Sequence, residues 1–297
     1  MLLLKIIVIM MLNPALMLEN GIDAAELFAG CMSVTLGIQA QKLLCVPFEI
    51  EMLGDSMDLC SPAGFCLALS LVLRMGLQGH GLLWLAPVCA TWIFMSRGST
   101  GRCKILPDGW THHYCVRRAN IMNSRCILLC MLAHHMGLAF ILEQPASSVF
   151  NLTTRFQEMV SEFLVWVAKG VHMGAYGGES QKELKLWSNR QWVEELIKEV
   201  PRGTVFANND ITKVYYNKHG QKKVTGGKGL KATQYYPKDF GIEVGEVFKR
   251  HIQSTKTGTH QQLSVDMAMQ LVAASDGNQD PWDDAQLQEV LTYLHEL

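Results

Sequence analysis

Several common signatures are missing from this 297-residue chain. No two cysteines stand in a Cys-x-x-Cys pair, and none has zinc-ligand spacing with a histidine, so no metal site is predicted. No complete Gly-x-Gly-x-x-Gly occurs, which removes the usual dinucleotide fingerprint. Internal repeats and low-complexity stretches are absent. Charged residues are only 18% of the chain against 49% hydrophobic, which excludes a disordered protein and allows a sizeable core. Net charge is −1, so no global field draws the chain to polyanions. Cysteine stops at Cys130 and there is no Lys or Arg after Lys256.

The nine cysteines lie between Cys31 and Cys130, mostly in apolar runs. An odd number in such settings suits reduced core thiols. A reducing compartment, nuclear or cytoplasmic, is therefore expected. Residues 1–20 form an apolar N-terminal extension, interrupted by Asn13 and Pro14. Packing onto the body is expected there, with a signal peptide as the alternative. The interruption makes it a poor membrane span.

Charge is unevenly spread. Arg202 to Lys256 holds 11 basic against 4 acidic residues, whereas Thr257 to Leu297 holds 7 acidic and no Lys or Arg. The basic stretch interleaves Lys222, Lys223, Lys228 and Lys231 with Tyr215, Tyr216, Tyr235 and Tyr236. Such a segment neutralises phosphates and stacks bases. An edge hairpin kept soluble by lysine has the same composition.

Strand-length apolar runs alternate with helical spacing from Ala24 to Tyr176. Strands are predicted at 24–28, 45–50, 82–85, 138–142 and 171–176. Helices are predicted at 32–44, 61–76 and 115–136, and 147–167 reads as mostly helical. Residues 95–110 read as a loop. The pattern implies an α/β fold, a mostly parallel sheet with helices on both faces. It places the main α/β domain at 21–177 and a small, partly β basic excursion at 178–235. A returning helix at 236–253 and an acidic helical tail at 254–297 follow, the tail with helices at 261–274 and 283–297.

Useful groups fall where strands stop, which is where open α/β sheets bind ligands. Glu26-Leu27-Phe28-Ala29-Gly30 makes a strand, a small-residue turn and a helix start that can cradle a nucleotide-like ligand. Glu49 or Glu51, after the second strand, is placed for ribose hydroxyls. Pro87-Val88-Cys89 ends the third run with a thiol, and Glu143-Gln144-Pro145 ends the fourth with a carboxylate. A carboxylate after four apolar residues needs a polar site or a partner.

These residues resemble the DNA (cytosine-5) methyltransferases. Glu26 to Cys31 matches the family's first motif, Pro87-Val88-Cys89 its Pro-Pro-Cys, and Glu143-Gln144-Pro145 its Glu-Asn-Val or Glu-Asn-Pro. Lys185 to Asn189 is similar to a stretch found in divergent members. Val88 and Gln144 stand where the family carries Pro and Asn. The resemblance implies a Rossmann-like class I methyltransferase sheet and S-adenosyl-L-methionine as cofactor. It implies methyl transfer to C5 of cytosine in DNA through a covalent Cys89 adduct, with Glu143 gripping the ring. Cofactor contacts would come from Glu26, Leu27, Phe28, Ala29, Gly30, Glu49, Glu51 and Pro87. Arg97 and Arg102, in the loop after Cys89, would close over a flipped base. DNA is the expected partner, RNA an alternative, and the protein is expected to act as a monomer. The alternative function is a catalytically inactive module of this fold that binds nucleic acid or a protein partner.

Overall fold

The fold is that of a computed structural model, which describes residues 2–12, 21–76, 80–206, 212–226, 228–230, 232–255 and 285–296. Its centre is a six-stranded sheet in the order β2-β1-β3-β4-β6-β5. The strands are β1 (Ala24–Leu27), β2 (Cys45–Phe48), β3 (Leu82–Leu85), β4 (Ala139–Pro145), β5 (Trp166–His172) and β6 (Glu183–Ser188). β1 pairs in parallel with β2 and β3, and β3 with β4. β6 runs antiparallel between β4 and β5. The α/β class and mostly parallel sheet predicted from the sequence are present, and the arrangement is compatible with a Rossmann-like fold.

Strand side chains alternate between two cores, as a period of two demands. Ala25, Leu27, Leu83, Leu85, Phe140 and Leu142 enter one core. Ala24, Leu82, Trp84, Ile141 and Leu186 enter the other. The first core is covered by α1 (Leu2–Leu12), α4 (Pro62–Gly76), α6 (Tyr114–His135), α7 (Thr154–Glu162) and α9 (Ala285–Glu296). The second is covered by α2 (Ser33–Ala40) and α8 (Lys238–Thr255). The one-turn helices α3 (Ile50–Leu53) and α5 (Arg97–Thr100) sit in connections. α4 starts where the sequence places it, with Pro62 in its first position. The Ser61 hydroxyl there accepts from the Gly64 N–H at 2.9 Å.

α2 and α8 touch backbone to backbone. A Cβ on Gly37 would lie 1.8 Å from the Gly241 carbonyl oxygen, and one on Gly241 1.9 Å from that of Ser33. Glycine at both positions is what lets the late helix dock against the first crossover.

Three expectations are corrected. Residues 147–167 are only partly helical, because β5 begins at Trp166 and runs to His172. The stretch 173–176 is a 3-10 turn, not strand. β6 lies beyond residue 177 yet sits inside the main sheet, so the α/β unit extends past the sequence boundary. In the tail, Leu287, Val290 and Leu294 of α9 share a core with Ile6, Ile7 and Met10 of α1. The basic excursion contains the expected hairpin, β7 (Thr212–Tyr216) and β8 (Lys222–Gly226). The helix predicted at 261–274 lies outside the described residues. Among the described residues, no single helix is long and apolar enough to cross a membrane.

Candidate active site

The order of the parallel strands reverses at β1, which has β2 on one side and β3 on the other. The crevice beyond the carboxyl ends of such neighbouring strands is the usual ligand position. The turn leaving β1 is tightly wound. Phe28 (φ 63°), Gly30 (φ 50°) and Met32 (φ 59°) are all left-handed. Such values are uncommon for Phe and Met and cluster at functional sites. Nothing lies within 4 Å of where a Gly30 Cβ would be, so the turn is open on that side. The Gly30 N–H donates to Glu49 Oε2 at 2.9 Å, tying the tip of β2 to the turn. Glu51 is exposed on α3 and makes no such link through its carboxylate. Of the two acids named from the sequence, Glu49 is the one at the turn.

Glu26 does something else. Its Oε2 accepts from both the N–H and the hydroxyl of Thr35, each at 2.6 Å. It therefore braces the first turn of α2, where a carboxylate is favoured. Burial pushes its pKa up to about 7, against the pull of those hydrogen bonds. The Leu27 and Ala29 side chains are buried in the interior. Their share in a ligand site would be through backbone.

β3 and β4 deliver the thiol and the second carboxylate together. Gln144 Nε2 donates to the Pro87 carbonyl at 2.6 Å, and Gln144 Oε1 accepts from Ser148 at 2.9 Å. A buried Gln thus clamps the chain just before Cys89 to the residue just after Glu143. Cys89 is half-buried. Burial raises its pKa, the Glu143 charge raises it further, and Lys182 opposes both. Glu143 lies within β4 rather than at its end. It is buried, and burial raises its pKa against Lys182 and Tyr236.

Lys182 was not singled out from the sequence. It precedes β6 and lines a cleft of about 300 Å³ with Ser180, Thr233, Tyr235, Tyr236 and Pro237. The only sequence signal was a lone cation after the Gly177-Gly178 break. Lys185 to Asn189 is β6 itself and its exit. Asn189 Oδ1 accepts from the Phe140 N–H and its Nδ2 donates to the Leu138 carbonyl, which fixes β6 beside β4.

The nucleic-acid residues divide. Arg102 is 1% exposed. Its guanidinium donates to the Pro107 and Val116 carbonyls and to Asn120 Oδ1, and its Cζ lies 3.3 Å from a Trp92 ring centroid. It pins the loop after Cys89 from inside, so its reading as a nucleic-acid contact that closes over a flipped base is corrected. Burial lowers its pKa to about 10. Arg97 stacks on Phe94 at 4.7 Å and is half-buried in the same loop. Tyr215, Tyr216 and Tyr235 are exposed, at 52%, 69% and 50%. Tyr236, read with them as a stacking residue, turns its hydroxyl inward instead. Lys222 and Lys223 lie on β8, Lys228 begins a 3-10 turn, and Lys231 falls outside the described residues.

Arg102→Leu leaves three acceptors without their donor. We expect it to cost about 3 kcal/mol in urea unfolding. The salt dependence of DNA binding by the folded variant should match wild type. Unchanged stability with a shallower salt slope would return Arg102 to the phosphate contacts.

Comparison with protein-family models, with curated proteins and with solved structures finds no match for this chain.

Proposed function

We propose that this chain is an S-adenosylmethionine-dependent methyltransferase acting on C5 of cytosine in DNA. The observation that carries this reading is the meeting of a half-buried thiol just beyond β3 with a buried carboxyl inside the neighbouring β4, where Gln144 clamps the Pro87 carbonyl. The open, left-handed β1 turn with Glu49 at its edge fits the cofactor that such chemistry needs. Glu49 would hold its ribose, and backbone from Phe28 to Gly30 would line it. When bound, S-adenosylmethionine supplies an electrophilic methyl group.

The chain's own residues have separate tasks. The Cys89 thiolate adds to C6 of the cytosine ring, forming a C–S bond as the C5–C6 double bond opens and pushing electron density toward C5 and N3; once C5 carries the methyl group, loss of the C5 proton to a base restores the double bond and expels the Cys89 thiolate. Glu143 answers that density. Burial favours its protonated form, and in that form it would donate to N3 while its other oxygen accepts from the exocyclic amine. A protonated Glu143 also removes one of the two influences that raise the Cys89 thiol. Thiolate is gained and the Glu143 proton is lost as pH rises, so kcat/KM should be bell-shaped. The exposed Tyr215 and Tyr216 of β7, with the lysines carried on β8, would supply contacts to the nucleic acid. Cytosine within a duplex must first be flipped out.

A second reading, the same fold binding nucleic acid or a protein without turnover, is favoured by one observation. The Cys89 pKa is raised, whereas reactive cysteines usually have lowered ones. The deciding experiment incubates protein, S-adenosylmethionine and DNA carrying 5-fluorocytosine, then runs a denaturing gel. Fluorine at C5 cannot leave as a proton does, so an active enzyme stays attached. A shifted band that is lost in Cys89→Ala supports the transferase. No band from protein that binds both cofactor and DNA supports the silent module. A band formed with 5-fluorocytosine RNA alone moves the chemistry to RNA.

A further inference from the structure

Four buried polar atoms on the α2–α8 side of the sheet lie without a partner at full hydrogen-bond geometry: Glu26 Oε1, Trp84 Nε1, Glu143 Oε1 and the Tyr236 hydroxyl. Register explains how three of them meet. Glu26 on β1 pairs with Trp84 on β3, and Trp84 pairs with Ile141 on β4. Glu143 is two residues beyond Ile141 and so shares its face. Tyr236 reaches them from above. Its ring packs edge-on against Trp84 with centroids 6.0 Å apart and lies 5.1 Å from Phe240. Its carbonyl accepts from the Ser33 hydroxyl at 2.9 Å. The hydroxyl lies beside the Glu143 carboxyl and the Trp84 indole N–H. Unsatisfied buried groups are rare and need an explanation, and four together are more than neglect of one rotamer.

Donor chemistry leaves few ways to satisfy them. Indole N–H only donates, a phenol both accepts and donates, and a carboxylate only accepts. Glu26 already accepts twice from Thr35 through its other oxygen. We propose that Tyr236 is a positioning residue for Glu143, accepting from Trp84 Nε1 and donating its own proton to Glu143 Oε1. The inference rests on the reading of Glu143 as the group that grips cytosine. It makes the segment before α8 part of the active site, and it assigns Tyr236 a role inside the protein rather than in base stacking.

The groups facing Glu143 are Tyr236 before α8, Lys182 before β6 and Cys89 after β3, and the Glu26 charge acts on the same Tyr236 phenol. A hydrogen bond donated to a carboxylate favours its charged form. Removing the donor must therefore raise the pH at which Glu143 loses its proton.

The test is a carboxyl infrared titration of the full chain without ligands, with the Glu143 band identified by its loss in Glu143→Gln. In Tyr236→Phe, which keeps the ring packing, the midpoint should rise by about one pH unit, the scale of one hydrogen bond to a charged group. Placing 3,5-difluorotyrosine at position 236, a stronger donor of nearly the same shape, should lower it. Together these opposite shifts separate a hydrogen bond from a packing change. An unmoved midpoint in both variants overturns the inference. Methyl transfer by Tyr236→Phe should fall about ten-fold in kcat with little change in KM for DNA. If wild type shows no 5-fluorocytosine adduct while the midpoints shift as expected, the transferase reading fails and the positioning role stands.

Discussion

Under the proposed mechanism, Cys89→Ser should abolish methyl transfer, lowering the single-turnover rate by ~10⁴-fold or more, while S-adenosylmethionine affinity and melting temperature should stay at wild-type values. A serine hydroxyl nearly matches the thiol in size, so the half-buried position remains filled. It cannot ionise near neutral pH, so no attack on C6 follows. Glu143→Gln should lose less, about 10²-fold, because the amide still fills the buried site and can hydrogen-bond the ring but cannot pass a proton to N3. Transfer of labelled methyl groups to cytosine-containing DNA reads the rates, and calorimetry reads cofactor binding. Wild-type turnover by Cys89→Ser would falsify the covalent mechanism. Loss of cofactor binding in the same variant would mean that the thiol supports the fold of the site instead.

Gly37→Ala should be the most destabilising small substitution in the chain. Its new methyl carbon would sit 1.8 Å from the Gly241 carbonyl oxygen and 2.1 Å from its carbonyl carbon. Both are backbone atoms and cannot rotate away. α2 and α8 would have to separate, opening the core that holds Val34, Ile38, Val244 and Phe248. We expect a loss of about 3 kcal/mol or more, and a fall of ~5 °C in Tm for a chain of this size. Gly98→Ala is the control, since nothing lies within 4 Å of its Cβ position. It should change stability by less than about 0.5 kcal/mol. Equal effects at the two positions would show that the helices are not in backbone contact.

Much of the central sheet was legible in the sequence because parallel strands are buried on both faces. Leu82 to Leu85 and Ala139 to Leu142 are continuous apolar runs with every residue buried, and such runs stand out without knowledge of partners. The strands on the antiparallel side were harder. β5 mixes buried Ala168 and Val171 with exposed Lys169 and the left-handed Gly170, so it blends into the helical stretch before it. β6 carries Lys185 among buried leucines, which reads as a motif rather than a strand. The thiol and carboxyl of the candidate site were found from sequence because both follow apolar runs. Lys182 was not, since it interrupts no pattern, and Tyr236 was read for base stacking because the inward turn of its hydroxyl is decided by folding.

The sequence by itself determined where the first strands and main helices lie and which reactive groups follow them. Periodicity and turn residues are properties of neighbours along the chain. Only the tertiary structure decided which groups meet. Gln144 reaches the Pro87 carbonyl across 57 positions, and the Ser33 hydroxyl reaches the Tyr236 carbonyl across 203. Arg102 looked like a surface cation because its charge is local information. The three acceptors and the indole that bury it come from residues brought together by folding. A buried charge is tolerable only when all its partners arrive at once, and no window of sequence contains them.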